Sequence, residues 1–66
     1  MSVAKVIEIM SEGESIEKAI EAGVAEVAET VRHVQGAYVE GIKAIIEDGK
    51  IKKYRVDLKI TFVVDR

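Results

Sequence analysis

The 66-residue chain has no cysteine, no tryptophan, a single histidine and only three aromatic residues. Without cysteine there can be no disulfide and no thiolate metal site, and nothing points to an oxidising compartment. With His33 alone, a histidine-rich metal site inside one subunit is excluded. No apolar run approaches the ~20 residues that cross a bilayer. The N-terminus lacks the basic region and apolar core of a secretory leader. These absences lead us to expect a soluble, cytoplasmic chain with no membrane partner. The aromatics Tyr38, Tyr54 and Phe62 are not interleaved with the lysines, which argues against a nucleic-acid surface.

Catalytic apparatus is also missing. Ser2, Ser11, Ser15, Thr30 and Thr61 are the candidate nucleophiles, and none has a GxSxG context or a base that spacing can identify. The glycines at 13, 23, 36, 41 and 49 fit neither a P-loop nor a dinucleotide fingerprint. The chain reads as a non-enzyme.

The organising feature that is present lies near the C-terminus. From Lys50 to Val64, Tyr54, Val56, Leu58, Ile60, Phe62 and Val64 fall on one parity. Lys53, Arg55, Asp57, Lys59 and Thr61 fall on the other. A period of two over that length predicts a long strand with one apolar and one charged face. Val3–Met10 predicts a first strand, apolar on both parities and therefore covered on both faces. Ser11–Glu14 reads as a polar turn. Ser15 is a helix N-cap, and Ile16, Ile20, Val24, Val27, Val31 and Val34 recur at steps of three and four, which predicts a helix to about Val34. Gly23 reads as a close-packing point. Arg32 and His33 suit the negative helix end, with Gly36 as a left-handed cap. Ala37–Glu47 is the second strand, with a bulge or close approach at Gly41. Asp48-Gly49 is a two-residue hairpin turn.

The fold class is therefore α+β, a single domain of order β-α-β-β. The third strand lies between the other two and is antiparallel to both, and one helix covers one face. A chain this short buries only about 60% of its unfolded surface and is marginal alone. With no disulfide and one bare sheet face, association with copies of itself is the remaining route to stability. Charge is unevenly spread. Residues 12–29 hold six Glu and one Lys, whereas residues 50–59 hold four Lys, one Arg and one Asp. The two signs suit solvated faces that neighbouring copies can pair.

The opening VAKVIEIMSEGESIEKAIEAGVAEVAETVRHV and the closing EDGKIKKYRVDLKITFVV resemble the dodecin family over nearly the whole chain. The resemblance implies a hollow homododecamer that stores flavins (riboflavin, FMN or FAD) between subunits without chemistry. In flavin-binding members a Trp after the helix stacks on the isoalloxazine ring, and a Gln in the third strand bonds its polar edge. Those positions fall here on Gly36 and Arg55, and Lys43 lies where flavin binders often carry a basic residue. Tyr38 shares the parity of Gly36 and can stack in place of the Trp. Members without the Trp, described as calcium dodecins, share the Tyr-Arg dipeptide, and this chain is closer to that branch. The alternative ligand is thus Ca²⁺ or Mg²⁺, with Glu47, Asp48 and Asp57 as oxygen donors. A purely structural assembly is the remaining alternative.

Overall fold

The computed structural model describes residues 2–65. Strand β1 spans Ser2–Gly13, helix α1 spans Ile16–Ala28, strand β2 spans Val34–Glu47 and strand β3 spans Lys50–Asp65. The sheet order is β1-β3-β2 with both pairings antiparallel. The order and the central place of β3 are those that its alternating sequence predicts. Asp48 and Gly49 take φ of 54° and 73°, the double positive φ that a two-residue hairpin turn needs.

Helix α1 lies on the apolar face of β3. Val56, Leu58, Ile60 and Phe62 are buried there, together with Ala19 and Val27 of the helix. Each large side chain so buried contributes roughly 1.5–3 kcal/mol relative to exposure. Ser15 caps the helix, its hydroxyl accepting from the Lys18 amide at 3.1 Å. Gly23 is a point of close approach between helix and sheet. A Cβ there would stand 2.8 Å from Ser11 Oγ and 2.9 Å from Leu58 Cδ1. The Ser11 hydroxyl donates to the Ala19 carbonyl at 2.6 Å, tying β1 to the helix beside this contact.

The helix is shorter than its apolar spacing predicts. It ends at Ala28 with Glu29 as cap, and no basic residue stands in its last turn. Arg32 and His33 therefore do not close the helix but lie in the connection to β2. His33 makes the left-handed step, at φ 60°, whereas Gly36 is already inside β2. The reason is the sheet. Val34 pairs with Phe62, which draws the chain out of the helix early. Val31 and Val34 still pack against the core, so their spacing reflects burial rather than helix. Similarly, Ser11–Gly13 continues β1 instead of turning, opposite Val56, Arg55 and Tyr54. The anticipated irregularity at Gly41 is present as a register shift between Val39 and Gly41.

The other face of the sheet is bare. Val6 and Met10 of β1, expected to be covered, are 56% and 67% exposed. The molecule is also elongated, 52 × 19 × 13 Å. β1 stops opposite Tyr54, so the β2–β3 hairpin runs on beyond it as a two-stranded arm.

Candidate functional site

The bare face brings together residues of all three strands. Arg55 of β3 lies between Glu12 of β1 and Lys43 of β2, directly opposite each. Glu12 Oε2 accepts from Arg55 Nε at 2.9 Å and from Nη2 at 2.8 Å. Its Oε1 receives Lys53 Nζ at 2.7 Å. Lys53 and Arg55 together hold the Glu12 carboxyl below its ordinary pKa by hydrogen bonding to its charged form. Two cations, Lys53 and Arg55, thus hold one carboxylate, and a third, Lys43, stands on the other side of Arg55. Lys43 has no ion pair among the described residues, and like charges directly opposite one another are destabilising. The arrangement favours an added anion.

Four residues on, the sign reverses. Lys59 Nζ meets Glu40 Oε2 at 3.1 Å, and Glu40 raises the lysine pKa by that hydrogen bond, with help from Glu8. Glu8 stands directly opposite Lys59, and Asp57 lies beside Gly41. An open hollow of about 420 Å³ between them is lined by Glu8, Met10, Glu40 and Asp57. Tyr38, 66% exposed, stands opposite Lys59 on the β2 side. Gly36 stands opposite Thr61, and a side chain added there would meet nothing within 4 Å. The bare face therefore combines an apolar fringe of Val6, Met10 and Tyr38 with a basic end and an acidic end.

Gly36, Tyr38, Lys43 and Arg55, the four ligand-site candidates, all lie on this face. The proposed oxygen donors do not come together within one chain. Glu47 and Asp48 are at the hairpin tip, where Lys52 engages Glu47 at 2.9 Å. Asp57 pairs seven residues away along β3 from the partner of Glu47, roughly 23 Å at strand rise. Among the described residues no group of three or more carboxylates or histidines is placed to hold a metal ion. Sequence reasoning missed Glu12, which it assigned to a turn. Its role depends on β1 continuing to Gly13, and only the register reveals that.

A sheet of this order, with one helix behind it and a mixed polar and apolar open face, defines a small α+β module with room for a small ligand outside its core. The chain belongs to the dodecin family, whose model matches residues 3–65, and so is a small-ligand-binding protein. A crystal structure of a Thermus thermophilus protein superimposes with a TM-score of 0.92 at 30% identity, covering 100% of this chain and 98% of that one. An arginine-to-alanine variant of T. thermophilus dodecin gives 0.91 at 30% identity, with the same coverage. Dodecin from Streptomyces coelicolor shares the fold at 0.90 and 23% identity, covering 98% of this chain and 94% of that one. Among curated protein sequences, none matches the chain significantly. No helix among the described residues is long and apolar enough to cross a membrane.

Proposed function

We propose that this chain is a non-enzymatic storage protein of the cytoplasm that assembles as a hollow homododecamer and holds flavins between its subunits. The observation that carries the reading is the cation pair Lys43 and Arg55 on the bare face, with Arg55 fixed by Glu12. A guanidinium held in place donates to a ring carbonyl or grips a phosphate in two-point fashion. Tyr38, Met10 and Val6 offer apolar contact for a planar ring. The open space at Gly36, where flavin binders carry the stacking Trp, makes the grip weaker. Losing one aromatic stack costs roughly 1–3 kcal/mol by analogy with bases on aromatic side chains. The balance shifts toward FMN and FAD, whose phosphates the two cations can reach, and away from riboflavin.

Titration of riboflavin and FMN against the protein, followed by quenching of flavin fluorescence, tests this. FMN is expected to bind more tightly than riboflavin. Absence of quenching by either at micromolar protein removes the flavin reading. The Ca²⁺ alternative needs carboxylates of different copies to converge, since Glu47 and Asp57 are far apart in one chain. Ca²⁺ calorimetry without heat, together with an unchanged melting temperature, removes that alternative.

A further inference from the structure

The Glu12 carboxylate is held from two sides, at Oε1 by Lys53 and at Oε2 by Arg55. Its contacts to Arg55 use one edge of the guanidinium, the edge formed by Nε and Nη2. The donors left over are those on Nη1 and the second hydrogen of Nη2. They form the parallel pair that suits two oxygens of one phosphate. Glu12 of β1 stands on one side of Arg55 and Lys43 of β2 on the other, so Nη1 is on the side turned away from β1.

The remaining cations of β3 on this face are already engaged. Lys53 is taken by Glu12. Lys59 is taken by Glu40 and faces Glu8, and Asp57 stands between Lys59 and Arg55 on the same strand. An anion on this face therefore has one favourable place, between Arg55 and Lys43. A carboxylate next to that place opposes an anion by its charge. It also adds little to stability, since Glu12 and Arg55 are 33% and 40% exposed and ion pairs at such sites are weak. What the carboxylate supplies is orientation.

We infer that Glu12 is a positioning residue, which holds the Arg55 fork so that, with Lys43, it selects ligands carrying a phosphate over their neutral counterparts. Glu12 itself stays out of contact with the ligand. The inference rests on the ligand site proposed above and assigns the source of its selectivity.

Glu12→Ala and Glu12→Gln separate orientation from charge. Both remove the negative charge, but the glutamine carbonyl still accepts from Arg55. FMN and riboflavin are titrated against the parent chain and both variants by fluorescence quenching, and sedimentation checks that each variant assembles as the parent does. Glu12→Ala is expected to weaken FMN about tenfold, as for one charge-assisted hydrogen bond, and to change riboflavin far less. Glu12→Gln is expected to fall between Glu12→Ala and the parent. Tighter FMN binding in both variants means that the carboxylate acts by charge alone and overturns the inference. An equal loss of both flavins means a structural role and overturns it as well. Should Glu12→Ala fail to assemble, the FMN-to-riboflavin ratio in Glu12→Gln decides by the same signs. Binding of neither flavin by the parent removes the flavin reading alone. Calorimetry with inorganic pyrophosphate then decides the role of Glu12: weaker binding by the variants than by the parent supports it, and equal, tighter or absent binding overturns it.

Discussion

The two faces of β3 are the same strand read at alternate residues, and they have opposite fates. Val56, Leu58 and Ile60 are at most 1% exposed beneath α1, while Arg55 and Lys59, one residue removed, face outward in ion pairs. The covered face explains why one chain has a fold. The bare face carries the proposed ligand site. A strand that spends half its residues on a core and half on paired charges can serve both ends, because side chains alternate across a sheet.

The sharpest way to break this contrast is to cut one side chain on each face. Leu58→Ala removes a fully buried side chain and is expected to cost about 2–5 kcal/mol. Met10→Ala on the bare face is expected to stay within about 0.5 kcal/mol in the unassembled chain. Urea unfolding of both below the assembly concentration measures the difference, and comparable losses would dissolve the distinction between the faces. Gly23→Val pushes side-chain atoms into Ser11 and Leu58 and is expected to cost about 1–3 kcal/mol by overpacking. Gly36→Val on the bare face is expected to be nearly neutral by the same measurement.

Next in size is the ligand effect. Gly36→Trp places an indole in open space on the bare face. It is expected to tighten flavin binding about tenfold to a hundredfold, the equivalent of one aromatic stack. Fluorescence quenching reads the change. An unchanged affinity would place the flavin elsewhere.

The smallest expected effect is electrostatic. Glu12 has its pKa lowered by Lys53 and Arg55, so its folded value lies below its unfolded one. Its contribution to stability is in full force above the unfolded value and is lost as pH falls through the folded one. In thermal melts, Glu12→Gln is therefore expected to lower the melting temperature slightly at pH 7, to flatten the acid limb below about pH 4.5, and to match the parent chain once the carboxyl is protonated. A parallel shift at both pH values would mean that the side chain acts by packing.

What could be read in the sequence follows from which signals are local. The alternation of β3, the Asp48-Gly49 turn and the cap at Ser15 are each written in neighbouring residues, and strand order follows from them. The helix end was not legible because Val31 and Val34 keep helical spacing while packing on the core from the connection and from the first residue of β2. Gly36 and Tyr38 share a parity, but Lys43 has the other one and reaches the same face only through the register shift between Val39 and Gly41. Glu12 was invisible for a related reason. Its partner is 43 residues away in sequence, and only the continuation of β1 through Ser11–Gly13 brings the two together.

Sedimentation equilibrium of the purified chain, diluted through the nanomolar range, bears most directly on the claim that the bare surfaces belong between copies. One species of twelve chain masses, persisting on dilution, is the result expected. A stable folded monomer across that range would contradict it, and the shared ligand site would go with it.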